Sequence, residues 1–194
     1  MFIGIIVYYH AMKLLKTRPD WHYLVLVSAI LFVIEIINVL SVRWLNQFSI
    51  VPRDISTLPY IMTAPWLHIS IAHFWSNFLT FVILSFLLLE FGLKRYALVS
   101  LLLMLSTGLF VWIFGRDGQH LGASGVVYGY FGYLVLAGWL SKRVWLALIS
   151  VGVVFFYGSL IFGVLPTQPY ISWESHLFGF VSGLFLAYQF RQSK

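Results

Sequence analysis

Six predominantly apolar runs, at residues 21–40, 69–89, 96–114, 122–140, 144–165 and 175–190, govern what this 194-residue chain can fold into. Each is close to the ~17–25 residues a helix needs to cross the hydrocarbon core of a bilayer. Lipid offers no partner to a free amide or carbonyl, so a run of this kind must satisfy its backbone internally, as a helix. The pattern predicts an all-α membrane protein, a bundle of six transmembrane helices over residues 21–190 with a long first loop at about residues 41–68. Only 9% of residues are charged, against roughly 25% in soluble domains, which excludes a soluble globular fold. The opening "MFIGIIVYYHAM" is too short to span, and its cations follow the apolar stretch instead of preceding it. It reads as a cytoplasmic or interfacial N-terminal segment over residues 1–20 and not as a cleaved signal peptide.

The net charge of +6 forms no continuous basic stripe, so no nucleic-acid partner is expected. With six spans, one side of the membrane receives Lys13, Lys16, Arg18, Lys94, Arg95, Lys142, Arg143, Arg191 and Lys194, nine of the twelve cations. The other side receives Arg43, Arg53 and Arg116. The excess of cations predicts cytoplasmic N- and C-termini, and an odd number of spans would spoil the division. There is no cysteine, which removes disulfides and thiolate chemistry.

On this map His73 and Asn77, Ser124, and His176 fall near the outer ends of the second, fourth and sixth helices. Strongly polar side chains inside spans are costly and point to a functional site. His73 and Asn77 are four residues apart and share a helix face, so their donors can converge on one developing negative oxygen. Ser124, in "GASGVVYG", heads a helix, where free amides and the positive dipole end favour an anion. A serine, a distant histidine and convergent donors are the parts of covalent acyl transfer. Gly122 and Gly125 leave room for close approach of backbone and substrate. Gly125, Gly129 and Gly132, with Ser175, Gly179 and Gly183, read as the packing faces that seat the fourth and sixth helices together.

"GASG" at a helix start, "HFWSN" on an earlier helix and "SHLFGFVSG" on the last resemble, in that order, the motifs of the rhomboid intramembrane serine proteases, in their minimal six-helix bacterial form. The resemblance runs from about residue 52 to the C-terminus. It implies Ser124 as nucleophile, His176 as general base and acid, and His73, Asn77 and the Ser124 amide as oxyanion donors. Tyr128 takes the position whose ring stacks on the histidine, and its spacing from Ser124 puts it on the same helix face. Two departures stand out: there is no Trp-Arg pair in the first loop, and Ser175 replaces the usual alanine before His176. The implied function is cleavage of single-span or multi-span membrane protein substrates near the outer face of a bacterial plasma membrane. The expected site is a Ser-His dyad without cofactor or metal. Asp117 and Glu174 are not expected to partner His176. His68 is expected to point about 140° away from His73 around a helix, while Glu35, Asn38 and Glu90 read as structural hydrogen-bonding groups, with a proton or ion path as the sharper alternative. His120 reads as a surface residue. The alternatives are a catalytically inactive rhomboid-like protein that binds membrane helices, and a small transporter, although no inverted repeat is visible.

Overall fold

A computed structural model describes residues 20–166 and 171–191, so the segment expected over residues 1–20 lies, apart from Asp20, outside the described residues. Six α-helices follow in order: α1 (Trp21–Leu40), α2 (Ile71–Leu89), α3 (Leu93–Phe114), α4 (Ser124–Leu140), α5 (Val144–Tyr157) and α6 (Trp173–Gln189). Four segments are long and apolar enough to cross a membrane: α1, α2, α3, and Val144–Val164, which is α5 with its continuation. That continuation departs from the single helix expected over 144–165, because the chain tightens into a 3-10 turn at Gly158–Val164.

The helix α4 carries Ser124 at its first residue. Its 17 residues extend roughly 26 Å, shorter than the four segments long enough to cross a membrane. It is apolar all round and buried along most of its length, as befits a helix enclosed by others. Helices in lipid gain little hydrophobic energy from one another, and close backbone packing at small residues takes its place. A Cβ on Gly179 would overlap the Gly125 carbonyl oxygen, and one on Gly183 would overlap that of Gly129. The α4–α6 seam is therefore backbone against backbone, as the glycine spacing predicts. Gly125 packs on two helices: a Cβ there would meet Thr107 of α3 at 2.8 Å and Ser175 of α6 at 3.5 Å. It clears space for neighbouring helices, the close backbone approach expected of it.

The first loop is ordered by three short 3-10 helices, Trp44–Phe48, Ile55–Met62 and Ala64–Trp66. Ile50, Ile61, Ala64 and Val111 form a small apolar cluster that seats the loop on α3. Arg53 locks it there by donating to the Gly115 carbonyl at 2.7 Å and pairing with Asp117. At its other end Glu35 accepts from Arg43 at 2.7 Å, and Asn38 donates to Asn46 at 2.8 Å. Trp145 donates to Glu90 at 3.2 Å. These contacts give Glu35, Asn38 and Glu90 the structural roles expected of them.

Candidate active site

Ser70 precedes α2 in extended conformation, and its hydroxyl accepts from the His73 amide at 3.1 Å. This cap starts the helix so that His73 falls in its first turn and Asn77 one turn deeper on the same face. Gly122 has φ +122, a backbone region that favours glycine. A Cβ there would stand 2.8 Å from His73 Cε1 and 3.5 Å from Asn77 Nδ2. The loop ahead of Ser124 thus passes directly against both α2 side chains, and only glycine permits it. His73 Nδ1 and Asn77 Nδ2 are buried with no hydrogen-bond partner in the protein. Ser124 is the first residue of α4, so its amide is among the free donors of the first turn.

Ser124, His73, Asn77, Tyr128 and His176 all line one cavity of about 680 Å³. Five residues from three helices are brought together. The imidazole of His176 is held on two sides: its ring stacks on Tyr128, centroids 4.0 Å apart and planes 5° from parallel, and its Nδ1 lies 2.9 Å from the Gly163 carbonyl oxygen. A carbonyl can only accept, so Nδ1 carries the proton and neutral His176 keeps its lone pair on Nε2.

Gly163 was not legible as a site residue, since its contribution is a backbone oxygen presented by the 3-10 turn after α5. Two histidines also depart from expectation. His68 lies ahead of α2 and not on it, so helical rotation does not apply; its ring meets that of His73 edge-on at 5.1 Å. Its Nε2 accepts from the Ala123 amide at 3.4 Å, and its carbonyl accepts from Asn38, Arg43 and Asn46. Burial, with the nearby His73 and Arg43, lowers the His68 pKa to about 3, so this histidine is neutral. His120 is 4% exposed, a buried residue where a surface one was expected, because its backbone pairs with Ile50 as an antiparallel bridge. Asp117 is taken up by Arg53 and Glu174 by Arg116, in line with the expectation that neither serves His176. Among the described residues no three histidines or carboxylates are grouped to hold a metal ion.

The fold and this cavity define a helical integral membrane protein with a buried polar site at the ends of its helices. Residues 56–193 match the rhomboid domain family, and the chain belongs to that family. An uncharacterized protein of Mycobacterium bovis is 30% identical over 184 residues, covering 88% of this chain and 77% of that protein. One of Mycobacterium leprae is 31% identical over 169 residues, 82% of this chain and 67% of its own. RHOMBOID-like protein 1 of Arabidopsis thaliana is 28% identical over 134 residues, 67% of this chain and 34% of that protein. Members of the family are generally intramembrane serine proteases.

Proposed function

We propose that the protein is an intramembrane serine endopeptidase working through a Ser124–His176 dyad. The observation that carries this reading is the fixation of His176, whose Nδ1 donates to Gly163 and whose ring lies on Tyr128, in the cavity that Ser124 lines. This leaves Nε2 as the base. It takes the proton of Ser124 Oγ as the oxygen attacks a substrate carbonyl. The tetrahedral oxyanion receives hydrogen bonds from His73, Asn77 and the Ser124 amide. His176 then returns its proton to the departing amine, and water, activated by the same nitrogen, hydrolyses the acyl-enzyme.

The substrates are single-span or multi-span membrane proteins whose helices unwind readily near the outer face, since an intact helix shields its carbonyls. The six helices all cross the bilayer, with cytoplasmic termini and the cavity opening to the outer side of a bacterial plasma membrane. A reporter fused to the C-terminus should therefore read as cytoplasmic.

The test of activity uses purified protein with a transmembrane substrate and a fluorophosphonate probe, beside Ser124→Ala and His176→Ala. Cleavage and labelling should require both residues. Labelling that persists in Ser124→Ala refutes the nucleophile. A folded wild-type protein that neither labels nor cleaves but retains transmembrane helices on a pull-down supports the non-catalytic alternative.

A further inference from the structure

Two polar bridges join the loop ahead of Ser124 to the start of α6. In one, buried Glu174 accepts from Arg116, by its backbone amide at 3.4 Å and facing its guanidinium at 3.4 Å, and the same guanidinium donates to the Ile171 carbonyl. In the other, His120 Nε2 lies 2.9 Å from the Arg116 carbonyl, His120 Nδ1 2.6 Å from Ser172 Oγ, and Ser172 Oγ 2.7 Å from Ser175 Oγ. The second has a single consistent direction for a neutral imidazole. The carbonyl only accepts, so Nε2 bears the proton; Nδ1 then accepts from the Ser172 hydroxyl, and Ser172 accepts from the Ser175 hydroxyl. Every link is satisfied.

The placement of the chain in the sequence gives it mechanical meaning. His120 precedes Ser124 by four residues, and Ser172 precedes His176 by four. Between His120 and Ser124 the backbone has further anchors: His120 exchanges bonds with Ile50 at 2.8 and 3.1 Å, the Gly122 amide donates to Ala64 at 2.9 Å, and the Ala123 amide to His68. Those anchors tie the loop to the first loop and to the segment before α2. Beyond the packing of Gly125 against α6, the side-chain chain and Arg116, through Glu174 and the Ile171 carbonyl, tie it to the start of the helix that carries His176. We propose that His120, with Ser172 and Ser175, is a positioning device that sets Ser124 against His176. The proposal rests on the protease reading of the cavity. An apolar pair of similar volume would fill the same space; a directed hydrogen-bond chain adds a fixed distance between the two elements.

The experiment uses the full chain in detergent, following the fluorophosphonate labelling rate, kcat and KM on a transmembrane substrate, and the melting temperature. His120→Ala and Ser172→Ala should each lower labelling rate and kcat by roughly tenfold to 10²-fold, the scale of a 1 Å misplacement, with KM little changed. The double variant should fall no further than the worse single one, because both break the same chain. His120→Asn, which keeps an acceptor near the position of Nδ1, should retain more activity than His120→Ala. Wild-type rates per folded molecule in both single variants overturn the proposal, as does a loss that only tracks the folded fraction. If His120→Ala does not fold, Ser172→Ala and Ser175→Ala remove only hydroxyls, and unaltered rates in both are equally fatal. A wild-type protein without Ser124-dependent labelling refutes the protease reading and this inference together, whereas active wild type with indifferent variants refutes the inference alone.

Discussion

Replacing Gly163 with alanine adds one methyl group where the structure has least room. Gly163 does not have the left-handed backbone that Gly92, Gly118 and Gly122 adopt, so alanine meets no conformational objection and the effect is steric. The new Cβ would overlap the Tyr128 hydroxyl, with Tyr128 Cζ at 2.9 Å and His176 Nδ1 at 3.4 Å. Nonbonded heavy atoms settle at about 3.5–4.0 Å, so one partner must move by more than about 1 Å. If Tyr128 moves, the 4.0 Å stack on His176 is disturbed; if the 3-10 turn moves, the 2.9 Å bond from His176 Nδ1 to Gly163 is lost. Both accommodations reach the imidazole. A misplacement of 1 Å costs on the order of 10²-fold, and the labelling rate of Ser124 by a fluorophosphonate probe should fall by that order. Tyr128→Phe alone keeps the ring and should label nearly as wild type. In the double variant the hydroxyl is gone while the ring carbon stays close, so the rate should recover in part. Gly163→Ala labelling at the wild-type rate would refute the reasoning, and so would a folded double variant no faster than Gly163→Ala.

Three further outcomes are expected. Asn77→Ala should lower kcat by roughly 10²–10³-fold, the range for loss of one oxyanion donor, with the melting temperature as control for folding. Gly183→Ala places a Cβ into the Gly129 carbonyl, and overpacking of this kind costs about 1–3 kcal/mol, to be read as a lower melting temperature in detergent. His68 has a folded pKa of about 3 against about 6.5 unfolded, so below about 6.5 the unfolded chain binds the proton that the folded one refuses. Stability should fall as pH drops from about 6.5 towards about 3, by at most about 1.4 kcal/mol per pH unit. Melting curves across that window should be flatter in His68→Gln than in wild type.

Hydropathy located the helices closely because lipid-facing residues are selected only for being apolar; helix ends and changes of helix type carry no such signal. The start of α3 lies at Leu93, ahead of the apolar run at 96, because Gly92 with φ +98 ends the turn and Lys94 and Arg95 are helical although charged. The run at 144–165 did not show its change of helix type at Gly158, since a 3-10 turn needs no change of polarity. Ser124, His73, Asn77 and His176 could be singled out because polar side chains are unusual at their depth, while Tyr128 came from the resemblance to the rhomboid motifs, with its spacing from Ser124 in agreement. Gly163 could not, because a carbonyl oxygen belongs to every residue. His120 was misread for a related cause: an isolated bridge to Ile50, 70 residues earlier, has no periodic signal.

The site depends on two kinds of helix contact that should fail differently. Ser124 and His176 stand on the α4–α6 pair, whose backbones touch at Gly125, Gly129, Gly179 and Gly183; neither helix can shift there without breaking a backbone-to-backbone contact. His73 and Asn77 stand on α2, which packs on α4 deeper in the bundle through Phe81 and Tyr130 but at the level of the site meets it by the fit of Gly122 and the long bond from the Ala123 amide to His68. Backbone packing resists displacement steeply, since atoms already at contact cannot approach further, whereas a 3.4 Å hydrogen bond yields at small cost. Damage to the α4–α6 seam should therefore remove folding and Ser124 reactivity together. Damage at Gly122 or His68 should leave the dyad assembled and weaken mainly the stabilisation of the oxyanion, so that the two halves of the site separate experimentally along the two kinds of contact that hold them.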